Sequence, residues 1–389
     1  MRILLVTGLV AGGVGRHVEQ LTAGLRERGH RVVVAAPADV AGRFDLGPGT
    51  VDLPVGDRPH PLRDARTVRT LARVAAGADV VHAHGLRAGA LAALARGTAG
   101  PATRRSRRTP LVVTTHNAPP DAPTARAVYL VMEQVVARSA DLVLGVSPDL
   151  VERARRAGAP HTGPAVVPAS PAAGRPVDRE QVRRQVRGEL GLGDPGPALV
   201  VTAGRLAPQK GLETLVEAHR RIEGERPGSA VLAVAGEGPE RSALEAQVAA
   251  AGLTGRVLLL GHRRDVPDLL AAADLVVSSA RWEGQPVWLQ EALQQGAPIV
   301  ATDVGGTGVL LGEGGLLVDP DAPDLPGRLA ATMAPVLRDP ALAQDLRSRA
   351  GARARQLPDA RDAVEAVLAA YAEPLRRACA PTSPRGHVD

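Results

Sequence analysis

Aromatic side chains are nearly absent from this chain, where they make up 1% of 389 residues. The hydrophobic cores must therefore be built from Val, Leu and Ala. With hydrophobic residues at 44%, the chain still has enough apolar surface to fold as a globular protein. Both tryptophans, Trp282 and Trp288, fall in one short stretch, and in so aromatic-poor a chain this placement indicates a local role.

Cysteine and long apolar runs are also scarce. The single cysteine, Cys379, excludes an internal disulfide framework and a metal site of clustered thiolates. No apolar run approaches the roughly 20 residues that cross a bilayer, and the run after Met1 is too short for a signal peptide. We therefore expect a cytoplasmic protein.

Lysine is replaced by arginine almost everywhere, since only Lys210 among 47 basic residues is a lysine. Asparagine likewise occurs once, at Asn117. In such a chain a solitary lysine indicates a position where a compact ammonium is preferred to a planar guanidinium.

Positive charge exceeds negative charge by +6, and part of it lies in the run Arg104-Arg105-Ser106-Arg107-Arg108. Two interpretations of this run stay open: a solvated loop, or contact with anionic lipid at the inner face of a membrane or with an anionic acceptor. Nucleic-acid binding is disfavoured, because no aromatic residues interleave the basic ones to stack on bases.

Strands and helices alternate regularly along the chain, which predicts parallel, doubly wound sheets of the α/β class. The segment 169–176, rich in Pro, Ala and Gly, interrupts the alternation and is typical of a linker. We therefore expect two α/β domains of similar size, with a central cleft between them.

A glycine loop, Gly12-Gly13-Val14-Gly15, follows the first strand and opens a helix. Its amide groups are positioned to receive phosphate, although the loop is equally consistent with a tight turn. The dinucleotide fingerprint Gly-x-Gly-x-x-Gly does not fit this spacing, and no acidic residue ends the second strand near Ala35. A nicotinamide enzyme is therefore disfavoured.

The segment from Gly204 to Gly211 lies between a strand and a helix of the second series. Its two cations, Arg205 and Lys210, are spaced to converge on a diphosphate, the leaving group of a nucleotide sugar. The alternative is an exposed loop with two ordinary cations.

Two acids, Glu283 and Glu291, lie in the stretch that also holds both tryptophans. Glu283 follows a strand, so we expect it in a loop at the carboxyl edge of a sheet, where open α/β sheets bind ligands. Glu291 lies on the helix after it, with seven residues between the two acids. The tryptophans are interpreted either as packing around the helix start or as ligand contacts.

His116 ends a strand at the same kind of edge, where it is either structural or able to hydrogen-bond a sugar hydroxyl. His82-x-His84 has the spacing of metal ligands but lacks a third ligand. The Asp-x-Asp handle by which many sugar transferases bind a divalent metal is absent. We therefore expect no metal, with protein cations in its place.

Together these motifs resemble the retaining glycosyltransferases of family four, which have the GT-B fold. The shared motifs follow the family's order along nearly the whole chain: Gly12–His17, Thr115–Asn117, Gly204–Gly211, Ala235–Pro239, Gly261-His262, Glu283-x7-Glu291 and Gly305-Gly306. The resemblance implies a Rossmann-like acceptor domain at 1–170 and a Rossmann-like donor domain at 177–371. It also implies a C-terminal helix, at about 372–389, that packs back on the first domain.

The resemblance also implies roles for individual residues. By position, the diphosphate ligands are Arg205 and Lys210, with amides of Gly13, Val287, Trp288 and Leu289. Glu291 would accept hydrogen bonds from ribose, Glu283 would contact the donor sugar, and the backbone at His262 and Arg263 would read the base. His116 would lie by the sugar, close to the reacting carbon.

Two positions depart from the family pattern. Where members commonly have Asn-Gly after the interdomain strand, this chain has Pro168-Ala169-Ser170, and Val309 replaces a common acid after the glycine turn. The first departure bears on hinge geometry and the second on contacts beside the donor. Neither removes a diphosphate or ribose ligand.

The leading hypothesis is a retaining, metal-independent hexosyltransferase that needs no cofactor. Its donor would be a nucleotide-diphosphate sugar, UDP-linked, and its acceptor a hydroxyl of a small molecule, glycan or lipid-linked sugar. In the family's same-face mechanism the leaving phosphate takes the acceptor's proton, so the two acids are binding groups. The alternatives are a nucleotide-sugar epimerase on the same fold and a nucleotide-sugar-binding protein without turnover.

Overall fold

The computed structural model describes residues 1–10, 12–56, 59–97, 109–169, 178–193 and 195–379. By its internal contacts the chain divides into two compact units. Unit 1 is Met1–Val167 together with the chain from Pro358 onward, and unit 2 is Pro168–Leu357. Each unit contains one parallel sheet with helices between successive strands, so the α/β class predicted from the sequence is confirmed.

Unit 1 has, in its described residues, a seven-stranded parallel sheet. Its strands are β1 (Arg2–Thr7), β2 (Arg31–Ala36), β3 (Val51–Asp52), β4 (Val80–His84), β5 (Leu111–Thr115), β6 (Leu142–Gly145) and β7 (Thr162–Pro164). Its helices are α1 (Gly13–Glu27), α2 (Ala38–Ala41), α3 (Pro61–Ala75), α4 (Leu86–Gly97), α5 (Pro123–Ser139) and α6 (Pro148–Arg156). The central strands β1, β4 and β5 are buried along almost their whole length, as strands covered by helices on both faces must be.

Unit 2 has a six-stranded parallel sheet in its described residues. Its strands are β8 (Ala198–Ala203), β9 (Ala230–Ala235), β10 (Val257–Gly261), β11 (Leu275–Ser278), β12 (Ile299–Thr302) and β13 (Leu316–Val318). Its helices are α7 (Arg179–Glu189), α8 (Leu212–Glu225), α9 (Arg241–Ala250), α10 (Val266–Ala272), α11 (Val287–Gln294), α12 (Thr307–Leu311), α13 (Leu325–Arg338) and α14 (Pro340–Ala354).

The strand order fixes where each unit is able to bind a ligand. Unit 1 has the order β3-β2-β1-β4-β5-β6-β7, and unit 2 has β10-β9-β8-β11-β12-β13. In each sheet the order reverses direction at one point, between β1 and β4 or between β8 and β11. Ligands of doubly wound sheets bind outside the carboxyl ends of the strands at such a point.

Three elements depart from the sequence-based expectation. Strand β7, whose Thr-Gly-Pro sequence carries no strand pattern, forms by pairing along the edge of β6. Helix α13 was not predicted, and it contains Pro335, a residue that normally ends a helix. The third departure is a break in the helical chain after α14, because Asp359 caps a new helix by accepting bonds from the amides of Arg361 and Asp362 at 2.7 and 3.0 Å.

That new helix, α15 (Ala360–Cys379), belongs to unit 1 over its whole length. The chain therefore returns to the first unit near Pro358, earlier than the position near 372 expected from the sequence. The buried side chains of Val364 and Tyr371 explain the difference, because both lie before 372 and face the rest of unit 1. Val364 packs on α1 at Gly24, and Arg28, directly after α1, pairs with Glu365 at 3.2 Å.

The contact between Gly24 and Val364 gives a test of this packing. A Cβ on Gly24 would lie 2.6 Å from Cγ2 of Val364. Alanine favours a helix by about 1 kcal/mol over glycine, but overpacking costs about 1–3 kcal/mol. We expect Gly24→Ala to lower the melting temperature in the wild-type background and to raise it in Val364→Ala, where the space has been opened. The same sign in both backgrounds would contradict the packing described here.

Candidate active site

In unit 2, the ends of β8 and β9 approach so closely that only glycine fits. Gly204 and Gly236 have φ values of 148° and 152°, outside the region that other residues adopt easily. A Cβ on Gly236 would lie 1.8 Å from the carbonyl oxygen of Gly204. This backbone contact fixes the direction in which the chain leaves β8, and so the position of the loop that carries Arg205 and Lys210.

Lys210 closes that loop in a short 3-10 turn, Pro208–Lys210, which ends at the left-handed residue Gly211. Its ammonium forms an ion pair with Oε1 of Glu283, in the loop after β11. The hydroxyl of Ser279 also donates to the Lys210 carbonyl at 3.1 Å. The structure therefore brings together the single lysine and one of the two predicted acids, across the point where the strand order reverses.

The backbone at Glu283 is held from two sides. The side-chain amide of Gln209 donates to the carbonyl of Trp282 at 2.9 Å, and the amide of Gly306 donates to the carbonyl of Glu283 at 2.9 Å. Gly305 has a φ of 55°, and a Cβ there would lie 1.9 Å from the Glu283 carbonyl oxygen. The Gly305-Gly306 motif is thus the support on which the Glu283 loop rests.

Helix α11 carries the second acid, Glu291, which is buried at 5% exposure. Pro286 precedes the helix, and Gly296, with a φ of 60°, follows it. The amides of Val287 and Trp288 donate to no acceptor in the described part of the chain, and no side chain caps them. They present a positive helix end to solvent or ligand.

The amide of Leu289, which the resemblance assigns to the diphosphate with those of Val287 and Trp288, already has an acceptor within the helix. It donates to the carbonyl of Pro286 at 3.0 Å, and the Leu289 side chain is fully buried. A tight first turn therefore uses this amide inside the helix. Leu289 contributes its side chain to the hydrophobic core of unit 2, and a contact of its amide with the diphosphate stays a prediction.

Arg205, Lys210 and Trp288 line one pocket at the end of β8. Arg205 is exposed and, among the residues that the structure describes, has no ion-pair or hydrogen-bond partner for its guanidinium. The indole nitrogen of Trp288 is buried without a hydrogen-bond partner. The pocket lining thus includes the available cation of Arg205, the paired cation of Lys210 and Trp288, whose indole N–H has no acceptor in the described chain.

His262 and Arg263 follow β10, two strands from β8. His262 is exposed, whereas Arg263 is held by Asp265 at 2.5 Å and by Glu189 at 3.0 Å. The hydrogen bonds that Arg263 donates to these carboxylates, first to Asp265 and then to Glu189, raise the pKa of Arg263. The Arg263 side chain is therefore committed within the unit, and a contact between the backbone of this segment and the base stays a prediction.

In unit 1, the chain after β1 enters α1 through Gly12, whose φ is 55°, with no side chain capping the helix. Gly13 is its first residue. Two positions later, a Cβ on Gly15 would lie 2.2 Å from the ring of Phe44, so this glycine is required by packing. The loop therefore presents the start of α1 at the reversal point of the first sheet.

Four histidines meet beside that point, in an arrangement that the sequence did not predict. They are His17 of α1, His82 and His84 of β4, and His116 after β5, and all are at most 8% exposed. Nδ1 of His84 lies 3.3 Å from Nε2 of His116. His82 bonds to the hydroxyls of Tyr371 at 2.8 Å and Thr114 at 2.7 Å.

Burial sets the charge of this histidine cluster (His17, His82, His84 and His116). It lowers the pKa of His17 to about 4 and, with a smaller effect of His17, that of His82 to about 3. The pKa values of His84 and His116 are lowered well below the usual range by burial and then by neighbouring histidines. At neutral pH the four rings are therefore uncharged.

The structure gives His82 and His84 separate partners in place of the shared metal considered from their spacing. In the described residues, no group of three or more His, Cys, Asp or Glu side chains is arranged to hold a metal ion. Likewise, no helix of the described chain is long and apolar enough to cross a membrane. The basic run Arg104–Arg108 lies outside the described residues.

Comparison with known proteins extends these observations. A model described as "Glycosyl transferase 4-like domain" matches residues 12–170, and one described as "Glycosyl transferases group 1" matches residues 197–339. The chain is similar to D-inositol 3-phosphate glycosyltransferase of Nocardia farcinica, with 30% identity over 347 residues, covering 79% of this chain and 74% of that protein.

Other relatives match over shorter segments. Alpha-D-kanosaminyltransferase of Streptomyces kanamyceticus is 31% identical over 196 residues, 49% of this chain and 48% of its own length. A lipopolysaccharide core mannosyltransferase of Rhizobium meliloti, LpsB, is 37% identical over 134 residues, 33% of this chain and 37% of its own. The chain thus spans less than half the length of these two relatives.

Among solved structures, HepE of Anabaena in complex with UDP-glucose aligns with a TM-score of 0.80 at 23% identity, covering 96% of this chain and 100% of that one. Sucrose-phosphate synthase of Thermosynechococcus elongatus aligns with a TM-score of 0.78 at 21% identity, covering 97% and 99%. With two doubly wound parallel sheets, this is a protein of the GT-B fold. It belongs to the group 1, family 4 glycosyltransferases.

The histidine cluster makes stability depend on pH. Its rings stay neutral in the folded chain but accept protons in the unfolded chain below a pKa of about 6.5. As pH falls below about 6.5, the unfolded state binds more protons than the folded state, so the free energy of unfolding decreases by up to about 1.4 kcal/mol per pH unit and ring. Above about 6.5 this contribution is absent.

We therefore expect the urea midpoint to fall steeply from pH 7 to pH 5.5, and to fall less steeply in His17→Leu. The exposed His262 supplies the control, because His262→Gln should leave the slope unchanged. A wild-type midpoint that does not change over this range would contradict the neutral cluster.

Proposed function

We propose that this protein transfers a hexose or N-acetylhexosamine from a nucleotide-diphosphate sugar, UDP-linked, to a hydroxyl acceptor, with retention of anomeric configuration. The observation that carries the proposal is the pairing of Lys210 with Glu283 beside the available Arg205, at the reversal point of the second sheet. These residues lie in the segment matched by the group 1 model. The fold neighbour HepE, crystallised with UDP-glucose, supports the choice of donor.

The diphosphate is the best-defined part of the proposed substrate. Arg205 and Lys210 supply two positive charges, and the amides of Val287 and Trp288 add donors at a helix start. As the bond to the sugar breaks, negative charge grows on the departing phosphate oxygen, and preorganised donors stabilise that charge more than they stabilise the intact donor. Gly13 is assigned a further amide contact by resemblance.

The sugar, ribose and base are assigned to the remaining residues. Glu283 accepts hydrogen bonds from donor-sugar hydroxyls, Glu291 accepts them from ribose, and the backbone of His262 and Arg263 contacts the base. In this assignment the ion pair orients the carboxylate of Glu283 toward the sugar, and Lys210 binds the phosphate. The one contact therefore positions both groups that the reacting bond joins. His116 is assigned a hydrogen bond to the sugar near its reacting carbon.

In the proposed same-face reaction, the acceptor oxygen attacks the anomeric carbon from the side that the phosphate leaves. The departing phosphate oxygen takes the acceptor's proton. The acids are then binding groups rather than an acid and a nucleophile. The protein's own cations supply the charge that a divalent metal supplies in other sugar transferases, and the proposal requires no cofactor beyond the donor.

Removal of the single lysine tests the diphosphate assignment. We expect Lys210→Met to lower kcat/KM for UDP-sugar turnover by about 100-fold or more, because an electrostatic contact to the leaving group is lost. The control Arg226→Met, which removes an exposed cation just beyond the C-terminal end of α8, should retain wild-type turnover. The assay measures UDP release from UDP-glucose and UDP-N-acetylglucosamine, with and without a mixed pool of hydroxyl acceptors.

The outcomes separate the candidate functions. Slow donor hydrolysis or transfer in the wild type supports a transferase, and interconversion of the two sugars supports an epimerase. Donor binding, seen as a raised melting temperature without turnover, supports a binding protein. Full activity in Lys210→Met contradicts the phosphate assignment, provided circular dichroism shows both variants folded.

The acceptor class is a separate part of the proposal. The basic run Arg104–Arg108 favours an anionic or lipid-linked acceptor at a membrane surface. We expect the chain to co-sediment with vesicles containing phosphatidylglycerol at low salt, and less so at high salt, because such attraction is screened. Replacement of the four arginines by glutamine should abolish co-sedimentation while donor hydrolysis is retained. Equal binding to neutral vesicles would contradict an electrostatic contact.

A further inference from the structure

The two histidines of β4 differ in how many of their ring nitrogens have hydrogen-bond partners. His82 and His84 are two residues apart, so their side chains lie on the same face of the sheet. Both ring nitrogens of His82 have hydroxyl partners, on Tyr371 and Thr114. His84 has one partner, Nε2 of His116, and its own Nε2 is buried with none.

A buried nitrogen without a partner destabilises the fold, so His84 is a poor choice for packing alone. An apolar side chain of similar size would avoid that cost. His82 shows how a structural histidine is accommodated in the same strand, with both nitrogens bonded. The position of His84 is therefore better explained by what it does to His116.

The hydrogen bond between the two rings couples their tautomers. Both rings are neutral, so each carries one N–H, and one ring must donate to the other. If His116 donates from Nε2, then His84 must carry its own proton on its buried Nε2, where this N–H has no acceptor among the described residues. If His84 instead donates from Nδ1, its buried Nε2 carries only a lone pair without a partner. Buried N–H groups without a partner are rarer in proteins than buried acceptors without one, so donation from His84 is favoured.

The rings are held in this arrangement by their neighbours. The strand register pairs His84 with Thr114, which brings His116 beside the end of β4. The His84 ring lies 4.3 Å from that of His82 and 5.5 Å from that of His17, and at 5.6 Å it stacks on that of His116 at an interplanar angle of 29°. His84 therefore has little freedom to turn.

We propose that His84 is a positioning residue, which donates from Nδ1 to Nε2 of His116 and thereby holds the proton of His116 on its Nδ1. That nitrogen forms no hydrogen bond in the described part of the chain and becomes a fixed donor. A donor is what a sugar hydroxyl oxygen or a carbonyl requires. The kinetic consequence rests on the proposed function, whereas the tautomer does not.

The tautomer is measured directly by NMR of the full chain labelled with 15N-histidine. We expect His116 of the wild type to carry its proton on Nδ1. In His84→Leu the proton should redistribute to Nε2. In His84→Asn, whose side-chain amide reaches about where Nδ1 lies, the wild-type tautomer should be retained. A wild-type His116 with its proton on Nε2 overturns the proposal, even if the Leu variant fails to fold.

Kinetics supplies the second readout. We expect kcat for donor turnover to fall by about 10- to 100-fold in His84→Leu, the usual effect of losing a partner that orients a histidine, and to be largely restored in His84→Asn. KM for the donor should change little, and His30→Gln, at a position remote from the cluster, should match the wild type. A changed tautomer with unchanged kcat overturns the positioning role. A wild type without turnover contradicts the proposed function and leaves the tautomer test standing.

Discussion

The ion pair between Lys210 and Glu283 is the contact on which the second unit's site depends. Its side chains are 20% and 8% exposed, so both charges have lost much of their hydration. Attraction between partly buried charges offsets that loss only when both partners are present, and removing one typically costs about 3–5 kcal/mol. The pair therefore constrains the loops after β8 and β11 to one arrangement, in which an anionic ligand finds a cation already in position.

Glycine makes that arrangement accessible to the backbone. Gly204 and Gly236 let two strand ends touch, and Gly305 lets the next turn rest against the carbonyl of Glu283. A Cβ on Gly236 or on Gly305 would lie 1.8 or 1.9 Å from a carbonyl oxygen, so a side chain at either position would push the backbone segments apart. The glycine motifs and the charged residues therefore depend on one another, because the backbone contacts set the distance between the charges of Lys210 and Glu283.

The candidate site residues of the two units differ in charge. At the reversal point of its sheet, unit 2 pairs Lys210 with Glu283, whereas unit 1 has four histidines that burial keeps neutral by lowering their pKa values. A neutral imidazole ring offers one hydrogen-bond donor and one acceptor, and it does not attract the diphosphate of a nucleotide sugar. That property suits a residue assigned to a sugar, while a full positive charge suits one assigned to a phosphate.

Much of this was readable from the sequence, because local patterns carry it. Alternating strands and helices predicted the doubly wound sheets, and the scarcity of lysine singled out Lys210. What the sequence missed depends on partners far apart along the chain: Tyr371 bonded to His82, Arg263 held by Glu189, and β7 formed by pairing with an edge. The bond from the amide of Leu289 to the carbonyl of Pro286 was also not predicted, because the tightness of a first helical turn is not visible in residue types.

The single lysine also permits the most direct test of the account. Labelling with 15N-lysine gives one side-chain ammonium signal, that of Lys210. We expect saturating UDP to shift this signal and to slow its proton exchange, because the ammonium gains a phosphate partner beside Glu283. We also expect Glu283→Gln to alter the signal before UDP is added. A signal that is unchanged at saturating UDP would contradict the central claim that Lys210 binds the diphosphate.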